Sequence, residues 1–187
     1  MKFRRGFKTE ANQYAREFRQ ELGLEPEDPL CPRKLADRLL IPIAALSDFR
    51  SVLPDAVHQL SANDPSAFSA ATVFMGTRRL ILFNDCHDPY RQNADIAHEL
   101  AHSILGHPPC PPLNNYGCRN FAKKHEDEAN WLGPALLVSE EAALRIAEKG
   151  VAVVEAAKNF SVSKPLMQMR LNVTAAYRRV RSVKRVR

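Results

Sequence analysis

Long apolar runs are missing from this 187-residue chain. The longest, residues 39–46, is broken by Pro42, well short of the roughly 20 apolar residues that span a bilayer. No apolar stretch follows the basic opening Met1-Lys2-Phe3-Arg4-Arg5-Gly6, so no secretory leader is expected. Cysteine is scarce and irregular: Cys31, Cys86, Cys110 and Cys118 make no C-x-x-C pair. That argues against a disulfide scaffold and for reduced thiols. The sharper alternative is that Cys110 and Cys118, eight residues apart in a Pro-rich segment, form a redox bridge or bind a second metal. Together these absences lead to the expectation of a compact cytoplasmic protein with no membrane partner, long enough to bury a core as one domain.

Acidic residues are missing from one region only. Residues 156–187 hold nine Lys and Arg and no Asp or Glu, leaving 18 basic against 21 acidic residues elsewhere, so this stretch alone makes the net charge +6. Within it, Ala156-Ala157, Phe160, Val162-Ser163, Met167, Met169 and Leu171 have the spacing of a helix-turn-helix. Three readings stay open: a packed helical lobe with a basic tail, an electrostatic nucleic-acid surface, or a docking site for a partner protein.

What is present is the segment His98-Glu99-Leu100-Ala101-His102. Apolar residues recur at helical spacing around it, and no Gly or Pro interrupts residues 91–105 before Gly106 and Pro108-Pro109 stop the pattern. On a helix, residues four apart share a face, so both imidazoles can converge on one metal ion. The adjacent Glu99 is placed to take a proton from a bound water and pass it to a leaving amine. The spacing that would supply a third histidine fails, because a Gly seven positions and a His ten positions after His98 are replaced by Leu105 and Pro108. The next helical stretch offers a carboxylate instead. Its apolar residues Trp131, Leu132, Ala135 and Leu136 put Glu128 on or beside the inward face, where a carboxylate needs a cation. Zinc is the expected ion, although two imidazoles and a carboxylate also accept Mn²⁺ or Fe²⁺.

The pair of motifs, His-Glu-Leu-Ala-His and then Glu126-Asp127-Glu128-Ala129-Asn130-Trp131-Leu132-Gly133-Pro134-Ala135-Leu136-Leu137, resembles the ImmA/IrrE metallopeptidases. Arg79-Leu80-Ile81-Leu82-Phe83-Asn84 looks like the strand ahead of that family's active-site helix. Phe160-Ser161-Val162-Ser163 and Arg170-Leu171-Asn172 look like its F-x-V-S and R-L-N segments, so the similarity runs from about residue 10 to about residue 178. The chain departs from the family at Ala101, where Gly is common, at Leu132-Gly133, where Phe-Ala is usual, and at Val138-Ser139, where Met-Pro is usual. The resemblance implies that His98, His102 and Glu128 are zinc ligands and Glu99 the catalytic base. It also implies a zinc endopeptidase acting on a helix-turn-helix transcriptional repressor.

The expected architecture is α+β: a zincin-like metallopeptidase domain over residues 1–150, a helical HTH-like lobe packed on it over 151–178, and a basic flexible tail over 179–187. Helices are expected at residues 9–22 and 32–40, and a hairpin from strands 71–75 and 79–83 about Gly76-Thr77-Arg78. Residues 107–118 read as a loop bordering a cleft. The strand at 71–75 is either an edge that an extended substrate joins or an interior core strand. His107, Tyr116 and His125 are chemical candidates for stabilising an oxyanion. The competing functional reading is a DNA-associated or partner-binding regulator with a structural or vestigial zinc site.

Overall fold

The computed structural model describes residues 3–76, 78–108 and 123–186. The chain runs through α1 (Phe7–Glu21), α2 (Pro32–Arg38), β1 (Ile43–Ala45), α3 (Pro54–His58), β2 (Ala70–Met75), β3 (Arg78–Phe83), α4 (Pro89–Ile104) and α5 (Lys123–Leu137). It continues through α6 (Glu140–Lys149), α7 (Val153–Asn159), α8 (Lys164–Val173) and α9 (Ala176–Val186). The fold is α+β, rich in helix with one small mixed sheet. No helix among the described residues is long and apolar enough to cross a membrane.

The expected hairpin is β2–β3, antiparallel, with Ala70 opposite Phe83 and Met75 opposite Arg78. The third strand, β1, pairs parallel with β3 and was not expected. Three residues after a proline carry too little alternation to announce a strand, and pairing rather than pattern makes this one. Among the described residues, the sheet order β1-β3-β2 puts β2 at an edge, against the reading of residues 71–75 as an interior strand. The inward side chains Ile81 and Phe83 are buried against a core shared with α4.

Helix α4 begins where Asp88 accepts a 2.8 Å hydrogen bond from the Tyr90 amide and Pro89 takes the first helical position, a start that satisfies one free amide and wastes none on the proline. It ends at Gly106, whose φ of 64° suits a residue without Cβ. Two cores meet on this helix. Ile96, Leu100 and Ala101 join the sheet, α1, α2 and α5, while Ala97 joins α6, α7 and α8.

The C-terminal end of α5 is held by two buried arginines. Arg19 of α1 donates to the carbonyls of Asp28, Ala15 and Leu137 at 2.9, 2.9 and 3.2 Å. Arg170 of α8 donates to the carbonyl of Val138 at 2.9 Å. The last carbonyls of a helix lack intrahelical partners and carry partial negative charge, so two cations there answer both needs. Burial pushes each guanidinium down to about 10, against the opposing pull of nearby carboxylates; both stay charged at neutral pH.

Residues expected to be a flexible tail from 179 onward are helical as far as Val186. Ala176 and Val180 pack against the core shared by α6 and α8, and Arg179 pairs with Glu140 of α6. Helices α7 and α8 are joined by residues 160–163, in which Phe160 and Val162 are buried.

Candidate metal centre

The four-residue spacing on α4 brings the Nε2 atoms of His98 and His102 within 3.0 Å of each other. Glu126, in the first turn of α5, faces them both: its Oε2 lies 3.3 Å from His98 Nε2 and its Oε1 3.4 Å from His102 Nε2. One ligand atom from each of these three half-buried residues falls within 4.8 Å of the others.

The close approach of α5 to α4 has a local cause. A Cβ built on Gly133 would sit 3.1 Å from the His98 amide nitrogen and 3.2 Å from the carbonyl carbon and oxygen of Ala97. The two backbones therefore nearly touch at Gly133, with Ala101 and Ala129 fully buried. Glu126 precedes Gly133 by seven residues, two helical turns, and so projects from the same face.

Electrostatics at the site follow from that convergence. Hydrogen bonds with His102 and then His98 outweigh burial and hold the Glu126 carboxyl far below the usual carboxylate range. At His98 burial disfavours the charged ring, but the hydrogen bond with Glu126 and the carboxylates of Glu99, Glu126 and Asp95 prevail and raise its pKa. Two ring nitrogens aimed at one another with an anionic carboxylate beside both make a point that attracts a cation. That donor set fits a divalent ion.

Glu99 turns toward the sheet rather than into this cluster, and the Thr72 hydroxyl of β2 donates to its Oε2 at 2.6 Å. Glu128 is not in this cluster but behind it, one contact beyond His102 through His107. It is 4 % exposed, and its Oε2 meets His107 Nε2 at 3.2 Å while Oε1 lies 3.5 Å from Arg4 Nε. The structure thus brings Glu126, and not Glu128, to the histidine pair. The physical reason is that α5 has two inward directions: Glu126 and Gly133 look toward α4, whereas Glu128 and Trp131 look toward the segment leading into α1, where Phe3 meets Trp131 edge-on at 5.3 Å.

His107 has both ring nitrogens engaged, Nε2 with Glu128 and Nδ1 with His102 Nδ1 at 3.0 Å, so it offers no donor to a substrate. Burial, which outweighs the pull of the Glu128 carboxylate, lowers its pKa. His125 stacks on it, with ring centroids 4.4 Å apart. Tyr116, Cys110 and Cys118 lie outside the described residues, while Cys31 and Cys86 are exposed free thiols. Sequence reasoning missed Glu126 and Thr72. The first was signalled by the glycine two turns after it; the second had no signal, since its partner is 27 residues away.

No curated protein matches the chain significantly. The family model described as the IrrE N-terminal-like domain matches residues 56–172, a span that contains His98, Glu99, His102, Glu126 and Thr72. A match over more than half of the chain, on a segment holding a metal-ligand cluster and an adjacent carboxylate, shows that this protein belongs to the peptidase M78 family, the ImmA/IrrE metallopeptidases.

Proposed function

We propose that the chain is a zinc-dependent endopeptidase of zincin-like fold, with His98, His102 and Glu126 holding the metal and Glu99 moving the proton. The observation that carries this reading is the convergence of the three ligand groups beside a carboxylate tied to the edge strand. A divalent ion in the site would polarise a scissile carbonyl and acidify a water; Mn²⁺ or Fe²⁺ would serve the same donors.

The residues of the chain do the rest. Strand β2 presents the sheet's edge, so an extended peptide can add to it by main-chain hydrogen bonds and lie alongside Glu99. Glu99 takes a proton from the attacking water as the C–O bond forms, then delivers it to the amide nitrogen as the C–N bond breaks. The Thr72 hydroxyl leaves the second oxygen of Glu99 free for that work by occupying the first. Thr72→Val should therefore lower turnover by about tenfold at unchanged zinc content, and Thr72→Ser should restore it. Equal turnover in all three proteins would remove the role assigned to this hydrogen bond.

The substrate we propose is a helix-turn-helix transcriptional repressor in the cytoplasm, a reading supported by family membership. Residues 151–178 then form an HTH-like lobe that braces the catalytic unit of residues 1–150. A second reading rests on the nine basic and no acidic residues of 156–187: a DNA-associated or partner-binding regulator. The test is to incubate zinc-loaded protein with folded helix-turn-helix repressors and read products by mass spectrometry. Cleavage at an internal bond, abolished by chelation, is expected. Intact repressors together with salt-sensitive DNA binding would favour the second reading.

A further inference from the structure

Glu128 and His107 are buried polar residues beside the metal site for which the proposed function has no use. Their contacts form one continuous chain. Arg4 Nε lies 3.5 Å from Glu128 Oε1, Glu128 Oε2 lies 3.2 Å from His107 Nε2, and His107 Nδ1 lies 3.0 Å from His102 Nδ1. The far nitrogen of His102 is the one that faces His98 and Glu126.

From this geometry we infer that Glu128 is a positioning residue which, through His107, fixes the ring of His102 with its Nε2 lone pair toward the metal. The inference rests on the reading of His98, His102 and Glu126 as ligands. Its logic is a count of protons. A carboxylate can only accept, so the nitrogen of His107 that meets Glu128 must carry the hydrogen. A neutral imidazole has one N–H, so His107 Nδ1 is left as an acceptor. With an ion in place of the proton that His102 Nε2 shares with Glu126, His102 would be a neutral ring; the nitrogen facing His107 would then donate, which leaves Nε2 of His102 for the ion. One buried carboxylate thus determines which atom of a residue two contacts away is free to bind an ion.

The surroundings favour a fixed arrangement. His107 and Glu128 are both below a tenth exposed, the His125 ring stacks on His107 at 21° between planes, and Arg4 supplies positive charge to the oxygen of Glu128 that His107 does not use. Metal-ligating histidines commonly donate their second nitrogen to a carboxylate, a carbonyl or water. Here the acceptor is another imidazole, itself oriented by the carboxylate. Arg4 lies outside residues 56–172, the family-matched span, so part of this support is added by the chain's own N-terminal segment.

The experiment measures zinc affinity by competition with a chromophoric chelator for the wild type, Glu128→Ala, Glu128→Gln, His107→Phe and Glu126→Ala. Nitrogen-15 spectra of the histidine side chains accompany it. Glu128→Ala and His107→Phe should each keep one zinc site per chain but bind about 10–100-fold more weakly. Glu128→Gln should recover most of the loss, because its amide oxygen can still accept from His107. In the zinc-loaded wild type, His107 should carry its proton on Nε2. A His107 proton on Nδ1, or unchanged affinity in Glu128→Ala, would overturn the inference. Complete loss of zinc in both Glu128 variants with retention in Glu126→Ala would instead make Glu128 a ligand and overturn the underlying site reading as well. Loss in Glu126→Ala alongside mere weakening in Glu128→Ala separates the two roles.

Discussion

Changing Glu99 to Gln is expected to lower peptide hydrolysis by about 10²–10⁴-fold while zinc content stays at the wild-type level. Gln has the same shape, and its amide oxygen can still accept the hydrogen bond that Thr72 donates at 2.6 Å, so the position of the side chain should survive. What is lost is a group able to take a proton from water and return it to nitrogen. Turnover on a cleavable peptide, read beside elemental analysis of the same sample, makes the measurement. A regulator acting through DNA would be indifferent to this change and sensitive to removal of residues 178–187. Activity retained at the wild-type level would therefore sink the assignment of Glu99 and turn attention to the basic helices.

Replacing Glu126 by Ala should take the zinc content from about one per chain to almost none, because a three-ligand site loses its only carboxylate. The loss should also appear as stability. In the wild type, zinc at about a hundred times its dissociation constant adds about 2.7 kcal/mol, or roughly 5–10 °C in melting temperature for a chain of this size; the variant should show no such zinc-dependent rise. The pH dependence has a defined sign. His98 has a raised pKa in the metal-free fold, so the stabilisation it gives by holding a proton is fully present below the unfolded value near 6.5 and fades as pH rises through the folded value. Glu126 is depressed, so its share is present above the ordinary carboxylate range and is lost only in strong acid. Zinc must displace the His98 proton, and apparent affinity should climb as pH rises from about 6 to 8. A flat profile over that interval would mean that His98 carries no proton to displace.

Helix α4 was legible because its chemistry and its period coincide: the histidines needed for a metal are spaced as a helix spaces them. The hairpin was legible for a similar reason, two alternating runs about a glycine turn. Glu126 was not, because hydrophobic periodicity finds an inward face but cannot divide it between two neighbours. Helix α5 packs on both α4 and α1, and Trp131 and Leu132 drew attention to the side that carries Glu128. The mark of the α4 side was the absence of a side chain at Gly133, which permits the backbone contact at 3.1 Å. Helix α9 was hidden by its charge. Counting arginines without their partners misses that Glu140 of α6 receives Arg179 while Ala176 is fully buried.

The clamps on α5 have a consequence for modularity. The helix that carries Glu126 is fastened at its far end by Arg170 and by Arg19, and beside the site by Arg4. Strand β3, which packs on the helix carrying His98 and His102, is flanked by β1. Of these supports, Arg170 alone falls within residues 56–172. The span that identifies the chain is therefore smaller than the unit that folds around the candidate metal centre. A fragment cut at residue 56 would keep every proposed ligand and lose the first two helices, a strand and two of the three arginines that hold those ligands in register.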